Sequence, residues 1–360
     1  MSDDGHLTAT SSDLNTAGAT TDTRIAGVEV IDASGAGAGV LINLAAQTEG
    51  FTIIGSAFAD TLTGALGADN ISGGVGNDII NGFVGADTID GGGGTADTII
   101  LTATSATLST AGATDSRLAG VEIIDASGAA AGVSLTLVGQ LEGFTVIGGV
   151  SADTITGGFG ADSISTGLGN DVINGFVGAD TVDGGGGTNT LLLTADLLNP
   201  GEAQLVSVSA VNAANATVGL TINLSSQSEG FTITSGTGAD TLTGGGGGNI
   251  FNYVDLTKSL VASYDTINNV KATDTFKIGH AATALTKSLA GTGNVTTDMT
   301  TALTSGFFIA SAAAVVTISS GADAGTYLAI NDGTAGFQTA SDAIIKLLTP
   351  VSLPTSNFIV

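Results

Sequence analysis

The chain has 360 residues, with 33 acidic side chains against 7 basic ones for a net charge of −26, and it carries 56 glycines with no cysteine or tryptophan. That balance excludes a basic surface for nucleic acid or anionic membrane, and the missing cysteines exclude disulfides and thiolate metal sites. Acid excess with few aromatics usually marks disorder, but 42% hydrophobic residues and a mean hydropathy of +0.43 exclude that class here.

Residues 1–26 are polar, with no charged-then-apolar leader, so a secretion address is expected elsewhere. Their LTATSSDLNTAGAT (Leu7 to Thr20) matches LTATSATLSTAGAT (Leu101 to Thr114), and the segment reads as the end of a preceding repeat unit, an N-terminal edge cut from a longer array. A first full unit spans 27–119 and opens GVEVIDASGAGAGVLINLAAQTEGFTIIG; a second, 120–213, opens GVEIIDASGAAAGVSLTLVGQLEGFTVIG, a 93-residue period. Residues 214–252 hold a degenerate third copy. Repeats of this length predict a solenoid. Inside unit 1 the apolar centres Val30, Ile42, Ile53, Leu62, Ile71, Ile80 and Ile89 are spaced 12, 11, 9, 9, 9 and 9 residues apart, in short β-prone segments bounded by turn formers. The fold class is therefore all-β: a parallel β-solenoid, first with longer metal-free rungs and then with nine-residue rungs at about 55–99 and 148–191. Beyond residue 252 the rhythm stops and all five lysines appear; alternating segments and an Asn331-Asp332-Gly333 turn signal predict an antiparallel β-rich module over 253–360 that caps the solenoid. The longest apolar run, Phe307 to Ile318, is shorter than the roughly 18 residues a membrane helix needs.

The nine-residue rungs carry an aspartate in register: Asp60, Asp69, Asp78 and Asp87, then Asp153, Asp162, Asp171 and Asp180. The first series slips by one to Asp97, the second ends in Asn189, and the third copy continues with Asp240 and Asn249. Only six of the acids are glutamates, whereas a solvated acidic surface would mix both types. Two nonapeptides make one coil, so turns alternate between two sides, and Asp69 stacks near Asp87 and Asp162 near Asp180. Carboxylates that close repel unless a cation lies between them. Short carboxylates together with carbonyls exposed by glycine suit calcium, a hard ion taking six to eight oxygens.

This pattern, G-G-x-G-x-D-x-U-x, resembles the calcium-binding β-roll repeat of RTX proteins over about Gly55 to Asn252. The resemblance implies calcium ions, several in number, held by Asp69, Asp78, Asp87, Asp162, Asp171 and Asp180 between stacked turns. Asp60, Asp97, Asp153 and Asp240 stand at block edges, where weaker or absent sites are expected. Gly64, Gly67, Gly73, Gly76, Gly82, Gly85, Gly157, Gly160, Gly169 and Gly178 would supply turn geometry and carbonyls. Phe58 and Ser151 replace the fourth-position glycine of the first turn in each block, and Phe83 and Phe176 replace a second glycine. Asn249 to Gly279 resembles the module that closes the roll in serralysin-like proteases, with Asn268 and Asn269 where that pattern favours an acid near Asp265. GTYLAINDGTAGFQTASDAIIKL and the ending SNFIV resemble the C-terminal signal of type I secreted proteins, with Asn357 where an acid often stands, which implies the type I secretion apparatus as a partner.

No catalyst is expected. There is no H-E-x-x-H, no G-x-S-x-G and no cysteine nucleophile; His6 sits in the polar start, and His280 reads as a surface or satisfied histidine. The reading is a secreted, calcium-binding structural protein of the bacterial surface, similar to surface-layer proteins, folding on calcium outside the cell and assembling into a lattice or filament. The alternative is the C-terminal secretion and folding module of a larger enzyme, toxin or adhesin. An ice-binding or adhesive rank fits poorly, since Thr61, Asn70, Ile79 and Thr88 do not repeat.

Overall fold

A computed structural model describes residues 4–6, 11–13, 25, 27–84, 86–102, 105–107, 117–349 and 352–360. Most of the Leu7 to Thr20 motif and its match at Leu101 to Thr114 lies outside these residues, as do Gly85 and the His6 side chain. The chain forms two compact units, 1–189 and 190–360. No helix among the described residues is long and apolar enough to cross a membrane.

The first unit is a parallel β-solenoid of three-residue strands. Strands Val30–Asp32, Thr52–Ile54, Asn70–Ser72 and Thr88–Asp90 stack in one sheet, and Leu41–Asn43, Thr61–Thr63, Ile79–Asn81 and Thr98–Ile100 in a second. A three-residue strand points its central side chain one way and its two neighbours the other, so one aliphatic per rung lines the interior. Leu62, Ile71, Ile80 and Ile89 are fully buried, as are Ile155 and Ile173, with Ile164 and Val182 nearly so. Ile80 lies in register between Leu62 and Ile99. Ile80→Ala is expected to cost about 2–5 kcal/mol, because stacked rungs above and below prevent the cavity from collapsing; chemical denaturation of the calcium-loaded chain measures it.

The spacing predicts one continuous roll, but the coil changes sheets between the two repeats. The second sheet continues through Ile123–Asp125, Thr145–Ile147, Ser163–Ser165 and Thr181–Asp183. The first sheet ends with Leu118–Ala119, while Ser105–Thr107 founds a third that takes in Ser134–Thr136, Thr154–Thr156 and Val172–Asn174. Register also lengthens there: Ile99 pairs with Ile124, against Leu62 with Ile80 in the nonapeptide region.

The second unit continues the same construction with Thr190–Leu192, Ala210–Asn212, Thr232–Thr234, Ile250–Asn252 and Thr275–Lys277 in one parallel sheet, closed by the C-terminal strand Phe358–Ile359. Stacked Phe251, Phe276 and Phe358 replace the aliphatics inside, with ring centroids 5.6 and 6.1 Å apart. In the other sheet Asp265–Asn268 pairs in parallel with Ala343–Leu347, which starts the antiparallel set Ala343–Leu347, Gly325–Ile330, Ala312–Ile318. The antiparallel module therefore extends a solenoid sheet. Helix α1, Val295–Ala302, covers it through Met299, Ala302 and the following Leu303, packed with Phe308, Val316 and Tyr327. The Asn331-Asp332-Gly333 signal does turn the chain between antiparallel strands, but it opens a longer connection. There the buried Asp342 carboxylate accepts the amides of Asp332 and Gln338 at 3.0 and 2.7 Å.

Candidate metal sites in the turns

Each register aspartate ends a turn immediately before a strand, and all of them are buried. One carboxylate oxygen reaches back a full coil: the amides of Asp60, Asp69, Asp153 and Asp162 donate to Oδ1 of Asp78, Asp87, Asp171 and Asp180 at 2.8–2.9 Å. Turns two apart therefore stack, as the eighteen-residue coil requires, and the Asp69–Asp87 and Asp162–Asp180 pairs come together. The slipped Asp97 keeps the pattern, accepting the Asp78 amide at 2.7 Å across nineteen residues.

The second oxygen divides the aspartates into two classes. In Asp60, Asp69, Asp87, Asp153, Asp162, Asp180 and Asp240, Oδ2 accepts an amide of its own turn, from Ser56, Ala65, Val84, Gly149, Gly158, Val177 and Gly236, at 2.5–3.0 Å. In Asp78, Asp97 and Asp171 that oxygen is buried and has no hydrogen-bond partner. A buried carboxylate oxygen with no donor is costly unless something absent from the chain meets it.

Local backbone explains the difference. Asp78 and Asp171 close the turns GGVGND and TGLGND, where Gly76 and Gly169 have φ of +131° and +140°. Side chains rarely adopt that conformation, and in these turns no amide reaches Oδ2: Val75 and Leu168 donate instead to the Ser56 and Gly149 carbonyls of the preceding coil at 3.2 and 2.9 Å. Val75 bridges Gly93, Leu168 bridges Gly186, and the Gly76 and Gly169 amides donate to the Gly93 and Gly186 carbonyls at 2.9 and 3.1 Å. The side chains of Asn77 and Asn170 pin the facing turns by accepting the Thr95 and Thr188 amides. The other expected glycines make room. A Cβ at Gly64 or Gly157 would stand 2.6 or 2.8 Å from the carboxylate of its own turn, and one at Gly73 would strike Asp78. Gly67 and Gly160 abut backbone at Glu49 and Glu142, and Gly82 abuts Gly64, whereas a Cβ at Gly178 would meet open space.

Burial pushes the Asp78 carboxyl up to about 6, with the charges of Asp60 and Asp97 adding to it against the Asp60 amide. Asp97 is raised by burial first, and also by Glu122 and Asp90. Negative charge is thus concentrated at the turns of Asp78 and Asp97, where two orphaned oxygens lie in successive coils. No group of three or more His, Cys, Asp or Glu side chains able to hold a metal occurs among the described residues. A cation there would draw its remaining oxygens from the glycine-rich backbone, which is the donor set a hard ion accepts.

Where asparagine stands in register, its amide does a cation's work. Asn189 Nδ2 donates to the Gly184 carbonyl at 2.5 Å, and Asn249 Nδ2 donates to the Gly245 and Gly247 carbonyls at 3.3 and 3.2 Å. Sequence reasoning missed that Asp265 and Asp274 prolong the ladder, accepting the amides of Asp240 and Asn249 at 2.9 and 2.8 Å. The Asp-x-apolar of DTI and DTF was the available signal. Asp265 needs no metal: the buried Tyr253 hydroxyl donates to its Oδ2 at 2.7 Å, and burial pushes this carboxyl up to about 7. His280, read as a surface or satisfied histidine, is half-buried, and its Nε2 has no hydrogen-bond partner.

No curated protein matches the chain. The family described as RTX calcium-binding nonapeptide repeat (4 copies) matches residues 52–80, 63–95, 145–173, 156–191 and 232–253, the stretches whose turns carry the aspartate ladder. Over those stretches the chain carries RTX calcium-binding nonapeptide repeats.

Proposed function

We propose that the protein is a secreted calcium-binding structural component of the bacterial surface or extracellular matrix, folding and assembling when it meets calcium outside the cell. The observation that carries the calcium part is the set of buried, unpartnered oxygens of Asp78, Asp97 and Asp171 in turns with left-handed glycines. In this reading the strongest site lies between the turns 73–78 and 91–97, with Asp78 and Asp97 as ligands. A second lies between 166–171 and 184–189, with Asp171. Asp60, Asp69, Asp87, Asp153, Asp162, Asp180 and Asp240 shape the coil through backbone hydrogen bonds. Extracellular calcium modules bind at roughly 10⁻⁴ to 10⁻³ M, weak enough to leave the chain open in a calcium-poor cytosol.

The assembly part is supported by apolar side chains standing outward on the turns: Phe58, Leu66, Val75, Phe159 and Leu168 are 47–66% exposed. Exposed apolar residues repeated along a surface mark contact faces. Negative-stain electron microscopy of the full chain tests this reading. Sheets or filaments are expected in millimolar calcium and dispersed particles in chelator; dispersed particles in both would remove the assembly role.

A further inference from the structure

The second unit holds a pair of aspartates outside the nonapeptides. Asp298 lies in the first turn of helix α1, and Asp323 in the loop between Ala312–Ile318 and Gly325–Ile330; they are 1% and 7% exposed. Both Asp298 oxygens accept the Thr292 amide, at 3.0 and 2.9 Å. Neither oxygen of Asp323 has a well-formed hydrogen bond; the Asp298 carboxyl and the Gly293 amide lie nearest to it. The recess is shaped by small residues: a Cβ at Gly291 or Gly321 would stand 2.9 Å from Asp323 Oδ1. Gly293 and Gly321 both have left-handed backbone, at φ +89° and +96°. Tyr327 closes one side, donating its hydroxyl to the Asp323 carbonyl at 2.8 Å rather than to the carboxylate.

Two buried carboxylates side by side need a shared proton or a cation. Burial, then the neighbouring Asp298, raises Asp323; at Asp298 burial is again the largest single influence and works upward, but the Thr292 amide and hydroxyl and the Asp323 carboxyl together bring the net direction down. A shared proton would bridge one oxygen of each carboxyl and leave the other Asp323 oxygen only the poorly aligned Gly293 amide. A hard cation satisfies both carboxylates at once. We propose that Asp298 and Asp323 form a divalent-cation site, suited to calcium by its all-oxygen donors, that pins helix α1 to the loop at residues 319–324. It is separate from the repeats and does not depend on how they bind metal.

The three tyrosines, Tyr253, Tyr264 and Tyr327, all lie in the second unit, and there is no tryptophan. Terbium luminescence excited through tyrosine therefore reports on sites beside these three rings, and substitutions at Tyr327 and Tyr253 tell this site from the ladder at Asp265. With the full chain we expect sensitised terbium emission that calcium displaces. It should fall to background in Asp323→Asn, drop strongly in Tyr327→Phe, and persist in Tyr253→Phe and in the double variant Asp78→Asn/Asp171→Asn. Circular dichroism verifies the fold of each variant; if Asp323→Asn does not fold, Tyr327→Phe against Tyr253→Phe decides. Emission that survives Asp323→Asn, that follows Tyr253, or that is absent from the folded wild-type chain would overturn the site and leave a proton-sharing pair.

Discussion

Withdrawing calcium from the full chain at pH 7 is expected to melt the nonapeptide rungs, and lowering the pH in chelator is expected to restore part of that structure. Each nine-residue half-coil buries a single aliphatic side chain, worth about 1.5–3 kcal/mol, in a segment rich in glycine, the residue that loses most freedom on ordering. It also buries a carboxylate. Desolvation raises Asp69, Asp87, Asp97, Asp162, Asp180 and Asp240, and carries Asp78 from 3.8 to about 6. The sign is opposite to that of a salt-bridged aspartate. The folded state binds more protons than the unfolded one between about pH 4 and 6, so its stability falls as pH rises through that window. Above it the metal-free roll carries the full cost of ionised, buried carboxylates.

Calcium replaces the proton, so the apparent affinity should weaken as pH drops below about 6, while the metal-free chain gains structure over the same interval. Far-ultraviolet circular dichroism, titrated with calcium at pH 7 and then with acid in chelator, reads both arms. A full β-signal in chelator at pH 7, indifferent to calcium, would sink the coupling of folding to metal.

How legible was this in the sequence? The strand spacing and the inward aliphatics were, because a three-residue strand fixes which side chain faces in; Ile80 and Ile173 are buried as their place in the nonapeptide requires. The stacking of Asp69 on Asp87 followed from coil length alone. The exchange of sheets near Ser105–Thr107 and Leu118–Ala119 was not legible, since a nine-residue rhythm records strand intervals and not which sheet each strand joins. Nor was the division among the aspartates. Asp69 and Asp78 occupy the same register position, and the contrast lies in backbone: Ala65 turns its amide onto Oδ2 of Asp69, whereas the turn of Asp78, with left-handed Gly74 and Gly76, sends the Val75 and Gly76 amides to carbonyls of neighbouring coils and none to Oδ2. The clue lay in the asparagine before the aspartate, GGVGND and TGLGND against GALGAD and GGFGAD, since GGFGAD shares the second glycine and still caps its carboxylate. Asp298 and Asp323 were out of reach because they meet only through tertiary packing.

That division yields the sharpest contrast between single substitutions. Asp78→Asn keeps an oxygen to accept the Asp60 amide and exchanges the unpartnered anionic oxygen for a neutral NH₂. That group can donate to turn carbonyls, as Asn189 and Asn249 do. The metal-free chain should lose little stability or gain some, while calcium affinity at the site of turns 73–78 and 91–97 falls about tenfold or more, roughly 1.4 kcal/mol. Asp69→Asn should do the reverse. Its carboxylate accepts Phe51 on Oδ1 and Ala65 on Oδ2, at 2.8 and 2.6 Å. An amide must either point NH₂ at one of those donors or stretch one oxygen across both, as Asn249 does for the Phe231 and Gly245 amides at 3.1 Å each, and either arrangement costs about 1 kcal/mol or more. Calcium stoichiometry should be unchanged. Isothermal titration with calcium and denaturation in chelator, run on both variants, separate the two roles. Equal losses of calcium affinity in Asp69→Asn and Asp78→Asn would mean that the in-turn hydrogen bonds at Asp69 yield to metal and that both edges of the roll bind it.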